Sequence, residues 1–246
     1  MKDPSVCLRV RGDYALFSRP EFKVERVSYG VPTPSAMRGV LEAIYWKPEF
    51  KYRIRRIGVV KLGTPTTVLR NELGNRQGKT PIYVEDDRQQ RSSLILKDVE
   101  YLIHADIHVQ PHAEAQANGV NLLVKHTECF NRRARSGQCR HQPYLGTREF
   151  WAEFEPATPD EQPDTSLNQD FGTVLLDLAF VPSKARKELQ FKRHDGKKWA
   201  LTDGYMEAVY FHAELKNGWI EVPQDDPPAP ALLGYGKLDR LEGRHA

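Results

Sequence analysis

The chain has 246 residues, 28% charged and 10% aromatic, with a net charge of +3. This is the composition of a folded globular protein, long enough to bury a core without covalent staples, and it excludes a disordered chain. Three cysteines without a CxxC pair (Cys7, Cys129, Cys139) argue against a disulfide framework or a thiolate zinc site and fit a reducing cytoplasm. The start, Met1-Lys2-Asp3-Pro4, lacks the apolar core of a signal peptide. No apolar run approaches the ~20 residues of a membrane helix, so no membrane partner is expected.

The charge is unevenly spread. Residues 1–70 hold 14 Lys and Arg against 6 Asp and Glu, residues 71–150 hold 11 against 10, and residues 151–246 hold 11 against 17. A basic first segment suits a polyanion partner, although solvated faces with a chance imbalance would read the same way.

Val6-Cys7-Leu8-Arg9-Val10-Arg11 alternates apolar and polar, the pattern of a half-buried strand that places Arg9 and Arg11 on one face with Cys7. Thr33-Pro34 reads as an N-cap followed by proline at the first helical position. Met37, Val40, Leu41 and Ile44 then form one stripe of a helix that Pro48 bars from continuing, so Tyr45 and Trp46 are expected in its last turn. Residues 52–60 form a basic strand. Residues 63–92, rich in Gly, Pro, Asn, Asp, Gln and Arg, read as a long hairpin or loop excursion. Residues 101–109 alternate as a strand with one wet face. Asn118-Gly119 marks a turn before a second helix, in which Leu123, Thr127, Phe130 and Ala134 share a face and Gly137 is the stop. A further strand is expected over Thr147–Phe154.

This order, close to βαββαβ, predicts an α+β chain whose first domain, residues 1–155, is ferredoxin-like, the group that includes the RNA recognition motif. Residues 156–169 read as a linker. Phe171–Val181 is a strand, and Tyr210–Leu215 and Trp219–Val222 form a hairpin across Asn217-Gly218. Residues 170–246 are therefore expected to form a small antiparallel β domain, with an irregular Pro/Asp-rich tail after Pro223.

Four constellations carry possible chemistry. Lys125-His126, at the start of the second helix and followed by Arg132 and Arg133, suits a phosphodiester: histidine moves protons near neutral pH, and the cations stabilise phosphorane-like charge. The bland reading is an exposed helix end. Tyr45 could transfer a proton or stack on a base, or could be a rim aromatic of the core. The run Gln138–Phe150 could bind RNA, with Tyr144 stacking and Arg148 on phosphate, or be an ordinary loop. His104, His108 and His112 recur at intervals of four, but solvent-facing histidines explain them more simply than a metal site. Neither a P-loop nor a dinucleotide, HExxH or GxSxG signature occurs.

Several of these segments resemble one family. Asp13–Glu21, Lys23–Tyr29, Thr33–Pro48, Phe130-Asn131-Arg132-Arg133 and His141–Phe150 are similar to the Cas-five-d family of CRISPR-associated proteins, type I-C or Dvulg subtype. The likeness is long and specific through residue 150 and weaker beyond it. Arg140 departs from the family pattern, which has an aromatic there. The resemblance implies a ferredoxin-like domain followed by a small β domain. It also implies an endoribonuclease that cuts precursor CRISPR RNA at the base of the repeat hairpin. The mature RNA then stays bound, within the type I-C interference complex and its other subunits. Tyr45, Lys125 and His126 are the catalytic residues so implied. RNA contacts are expected from Arg9, Arg11, Arg19, Lys47, Arg132, Arg133, His141, Tyr144 and Arg148.

The expected reaction is attack of the ribose 2′-hydroxyl on its own phosphate, giving a 2′,3′-cyclic phosphate and a 5′-hydroxyl. RNA supplies the nucleophile, so no metal and no cofactor are required. Two rivals stand beside it. One is a non-catalytic subunit that holds the RNA end. The other, more remote, is a role on double-stranded DNA, which lacks the 2′-hydroxyl and would need a different site or a metal.

Overall fold

A computed structural model describes residues 3–22, 24–75, 78, 81–115, 117–194, 198–225, 232–233 and 237–238. Met1 and Lys2 of the signal-peptide reading, Lys23 of the family-like segments, part of the 63–92 excursion and most of the tail lie outside these residues. The elements, in order, are β1 (Val6–Ala15), β2 (Arg26–Val27), α1 (Pro34–Ile44), β3 (Phe50–Lys61), β4 (Thr64–Leu73), α2 (Val84–Asp87), β5 (Arg88–Val109), α3 (Pro111–Glu114), α4 (Leu122–Arg135), β6 (Glu153–Pro156), β7 (Gln169–Pro182), β8 (Leu189–His194), β9 (Trp199–Lys216), β10 (Trp219–Glu221), β11 (Leu232–Leu233) and β12 (Lys237–Leu238).

The result is mostly antiparallel sheet with few helices. Its central path runs β11-β7-β9-β10-β3-β5-β1-β6, with β2 and β4 added on β5 and β8 on β9. Among these pairs the contact of β2 with β5 alone is parallel. The 22 residues of β5 organise this path: their first half pairs with β4, their second half with β3, and both β1 and β3 flank the latter. Thus the 63–92 excursion is a hairpin, as its composition suggests, but β5 begins at Arg88 and β4 from Thr64.

The core lies between this sheet and helices α1 and α4. Val6, Leu8 and Val10 of β1, Tyr101, Ile103 and Ala105 of β5, and Met37, Leu41, Ile44 and Phe130 of the helices are buried together. Tyr52 and Ile54 of β3 join them, as do Ile57 and Val59, although a three-residue step separates the pairs. A register shift between Ile54 and Arg56 absorbs the extra residue, so the Arg55-Arg56 run does not flip the strand.

On the opposite face the wet side of β5 is only partly wet. Leu102 and His104 are buried, whereas His108 is exposed, so the solvent-facing reading fails for His104. Trp219 of β10 covers it, with ring centroids 4.8 Å apart, and the Arg56 guanidinium donates to His104 Nδ1 at 3.2 Å while stacking on Trp219.

Two further expectations change. Residues 147–150 turn rather than extend, because Gly146 adopts φ +89° and Phe150 N–H bonds back to the Thr147 carbonyl; the strand starts at Glu153. The sequence reading also passed over β8 and the first half of β9. The hairpin at 217–218 has positive φ at Asn217 and Gly218, as its turn type requires.

A Cβ on Gly146 would lie 1.9 Å from the Leu16 carbonyl oxygen, and its φ is left-handed. Gly146→Ala should therefore lower the melting temperature by about 5–10 °C, from a few kcal/mol of strain. Gly39 lies on the exposed side of α1 with nothing within 4 Å, and Gly39→Ala should raise stability by about 0.5–1 kcal/mol. Thermal unfolding of both variants checks the contrast.

Burial, reinforced by Arg56 and Arg55, lowers the His104 pKa to about 4. The unfolded chain therefore takes up this proton first. The stabilisation is complete above the unfolded value of about 6.5 and is lost as pH falls from there toward about 4. His104→Gln should remove on the order of 1–3 kcal/mol of the stability difference between pH 7 and pH 4, measured by denaturant titration at each pH.

Candidate active site

Helix α1 begins as its sequence dictates. Thr33 Oγ1 accepts the Ala36 N–H at 3.2 Å, and Pro34 opens the first turn. Its end differs from the expectation. The helix stops at Ile44, and Tyr45 is the capping residue with extended backbone (φ −150°, ψ 124°), still donating its N–H to the Leu41 carbonyl. Tyr52 fixes that geometry: its hydroxyl donates to the Tyr45 carbonyl at 2.7 Å. The turn outward sends the Tyr45 ring into the molecule, stacked 5.7 Å from Phe50 and only 6% exposed.

Helix α4 supplies the partner. Asn121 caps it by accepting the Val124 N–H, and Leu122, His126, Phe130 and Ala134 form its buried stripe at i, i+4, i+8 and i+12. His126 thus belongs to the buried face, not to an exposed helix end, while Lys125 projects from the exposed side. Phe50 packs on the His126 ring with centroids 4.6 Å apart.

Tyr45 and His126 meet: the phenol oxygen lies 2.9 Å from His126 Nδ1. Glu49 completes the arrangement. Its Oε2 is 2.9 Å from His126 Nε2 and 3.7 Å from Lys125 Nζ, and it links the two. The approach to Nε2 is out of line with the ring N–H direction, so that fully buried nitrogen lacks an aligned partner.

The electrostatics follow from burial. Desolvation lowers the His126 pKa, and Lys125 and Lys47 add to this while the Glu49 carboxylate opposes it. The imidazole is therefore neutral near pH 7. Burial pushes the Tyr45 phenol up to about 12; the neighbouring Cys129 thiol and Glu49 add to the rise, and Arg133 counters it. A neutral imidazole touching a protonated phenol, with an ammonium at the solvent edge, can pass protons and hold an anion.

The other residues read from the sequence divide into three groups. Arg133, Lys47 and His141 gather at the C-terminal end of α1. The Arg133 guanidinium donates to the Ile44 carbonyl at 3.0 Å and lies 5.3 Å from the Tyr45 ring centre. Lys47 and His141 are exposed, and the Arg140 and His141 N–H groups both bond to the Ala43 carbonyl. Arg132, one residue from Arg133, faces solvent and approaches Cys129 Sγ at 3.9 Å.

Tyr144 lies toward the other end of α1, lining a groove of about 270 Å³ with Ser18, Thr33, Ser35 and Gly146. Arg148 is exposed in the same loop, and Arg19 lies over the Tyr29 ring at 5.0 Å. The last group is apart. Arg9 and Arg11 alternate away from the core, on the sheet face opposite the helices. Arg9 pairs with Glu100 and, at 2.8 Å, with Glu161; Arg11 pairs with Glu153 at 2.8 Å.

Glu49, Cys129 and Tyr52 are the site neighbours that sequence reasoning missed. Glu49 was legible only as an acid next to the Tyr45–Pro48 segment, and Cys129 as the residue at i+3 from His126. Among the described residues, no group of three or more His, Cys, Asp or Glu side chains could hold a metal ion.

Comparison with known proteins identifies the family. Residues 5–223 match the sequence model of the Cas5d group, described as a CRISPR-associated protein (Cas_Cas5). The chain is 55% identical over 240 residues to a protein of Thermus thermophilus named CRISPR pre-crRNA endoribonuclease Cas5d, covering 97% of this chain and 96% of that one. It is 39% identical over 236 residues to a protein of the same name from Mannheimia succiniciproducens, covering 88% and 93%. Two crystal structures share the fold. One is a functionally uncharacterized protein from Streptococcus mutans, with TM-score 0.57, 23% identity, and coverage of 89% of this chain and 91% of that one. The other is a CRISPR-associated protein with TM-score 0.56, 24% identity and the same coverages. With a family match across most of its length and a relative above half identity, the chain belongs to the Cas5d family of CRISPR-associated proteins.

Proposed function

We propose that this chain is an endoribonuclease that cuts the repeat of precursor CRISPR RNA without a metal ion and keeps the mature product. The observation that carries the reading is the contact of Tyr45 with His126 at 2.9 Å, beside Lys125, in a chain whose relatives carry the name pre-crRNA endoribonuclease. Tyr45 caps the end of α1 while Lys125 and His126 lie on α4, so the fold joins Tyr45 to a histidine 81 positions away in the chain.

In the proposed reaction the ribose 2′-oxygen attacks the adjacent phosphorus while its proton passes to neutral His126 Nε2. The Nδ1–H of that tautomer donates to the Tyr45 oxygen, and the Tyr45 proton passes to the departing 5′-oxygen. The P–O5′ bond breaks, leaving a 2′,3′-cyclic phosphate and a 5′-hydroxyl. Lys125 faces the charge that develops on the non-bridging oxygens. In this reading His126 is the base and Tyr45 the acid, because a neutral imidazole has a site for a proton and a protonated phenol has one to give, the resting states with which the directions of their pKa shifts agree.

RNA contacts in this reading come from Lys47, Arg132, Arg133 and His141 around the cleaving residues, and from Tyr144, Arg148 and Arg19 toward the far end of α1. Arg9 and Arg11 would first have to exchange their carboxylate partners for phosphate. A ferredoxin-like first domain, residues 1–155, is supported by the antiparallel order β6-β1-β5-β3 with α1 after β1 and α4 after β5. The second, 170–246, comprises the β7–β9 sheet. The partners of the reading are the RNA and the other subunits of a type I-C complex, in the cytoplasm; among the described residues no helix is long and apolar enough to cross a membrane. Double-stranded DNA remains a secondary partner through the same cationic surface. The complete burial of His126 favours one rival, a subunit that grips the RNA end without cutting it.

Purified protein incubated with its repeat RNA separates the two on a denaturing gel: an uncut hairpin eliminates the enzymatic reading. Tyr45→Phe, Lys125→Ala and His126→Gln should each slow single-turnover cleavage by about 10²–10⁴-fold while RNA affinity changes little. A 2′-deoxy substitution at the scissile nucleotide should abolish cutting, and EDTA should not affect it; full activity on the deoxy substrate would refute 2′-hydroxyl attack.

A further inference from the structure

Both nitrogens of His126 are engaged inside the chain. Tyr45 occupies Nδ1 and Glu49 stands at Nε2. For His126 to reach a substrate, one of the two must leave. Tyr45 is held by ring packing on Phe50, by its N–H bond to Leu41 and by the Tyr52 hydroxyl on its carbonyl. Glu49 is held differently. Its carbonyl accepts the Gln110 N–H at 2.8 Å, which anchors the backbone, but its side chain is 40% exposed. Rotation about its side-chain bonds can therefore swing the carboxylate into water with the backbone unmoved.

The position of that carboxylate is informative. It is an anion seated between an ammonium and an imidazole, the two groups that the reaction directs at the phosphate oxygens and at the 2′-hydroxyl next to them. We propose that Glu49 is a place-holder for the scissile phosphate: its carboxylate fills the anion position in the RNA-free protein and is displaced when RNA docks. The proposal rests on the endoribonuclease reading and adds a residue to it.

Two observations separate a place-holder from a carboxylate that orients the histidine. An orienting carboxylate is buried and aligned with the N–H it accepts. Glu49 is half-exposed, and its approach leaves His126 Nε2 without an aligned bond. In addition, a carboxylate at Nε2 favours the Nε2–H tautomer, whereas taking a proton from the 2′-hydroxyl at that nitrogen requires it bare. The contact therefore opposes the cleaving state until Glu49 leaves.

The test uses the full chain, Glu49→Gln, which keeps size and removes charge, and Glu49→Ala as a second variant. Binding is measured on repeat RNA carrying a 2′-deoxy scissile nucleotide. Cleavage is measured on the all-ribose repeat over a range of RNA concentrations. Removing one like charge from beside the phosphate should lower Kd by about 3–10-fold in both variants and raise kcat/KM similarly, with the gain in KM. Unchanged or weaker binding overturns the proposal. So does a tenfold or greater fall of the saturating rate at constant KM, which would make Glu49 an orienting residue. If the wild type cuts no RNA, the endoribonuclease reading fails by itself, and binding of the unmodified repeat still decides the role of Glu49.

Discussion

The hydrogen bond between the Tyr45 hydroxyl and His126 Nδ1 joins the end of α1 to the first turns of α4, and the Arg133 guanidinium on the Ile44 carbonyl ties the same two helices further along. Its existence depends on details well removed from the two side chains. Helix α1 must stop one residue early so that Tyr45 can take extended backbone and turn inward. Tyr52, on β3, must catch the carbonyl that this leaves unpaired. Helix α4 must place His126 on its buried stripe, four residues ahead of Phe130. Each requirement is met by an ordinary packing or hydrogen-bonding constraint, so the contacting pair inherits the rigidity of the core. The same burial favours a neutral imidazole and a protonated phenol, the resting states that the proposed base and acid roles require.

Charge is organised in space rather than along the chain. The basic first segment and acidic last segment partly cancel by contact: Arg9 meets Glu161, and Arg38 makes a two-pronged pair with Asp177, at 3.0 Å to each oxygen, tying α1 to β7. What is left exposed is smaller and more local. Lys47, Lys125, Arg132 and His141 surround the C-terminal end of α1. The segment from Arg140 to Gly146 then runs back along this helix, from hydrogen bonds at Ala43 to the Tyr144 groove beside Thr33. An 11-residue helix spans about 16 Å, so cationic site and aromatic groove are separated by a few nucleotides' length.

The last third of the chain is attached through the sheet itself. β10 pairs with β9 on one side and with β3 on the other, and it brings Trp219 over His104 and Arg56. The buried, neutral His104 is therefore part of the joint between the β7–β9 hairpin and the central strands. That explains why a histidine in an alternating strand is not on a wet face: a later segment supplies the cover.

Much of this was readable in the amino-acid order. Thr33-Pro34, the Met37–Ile44 stripe, the Asn217-Gly218 turn and the alternation of β1 and β5 are local signals, and local geometry enforces them. The family-like segments pointed to Tyr45, Lys125 and His126 as a set. What the order could not contain were contacts between distant segments. Whether Tyr45 closes the last turn or turns inward depends on Tyr52, seven residues on. Glu49 gains its meaning from a helix more than seventy residues later, and Arg9 loses its free charge to a loop after residue 156. Periodicity and capping act within a few residues and so are written in the sequence, whereas the partner of a side chain, and with it the proton and charge state on which chemistry depends, is decided only when the chain folds back on itself.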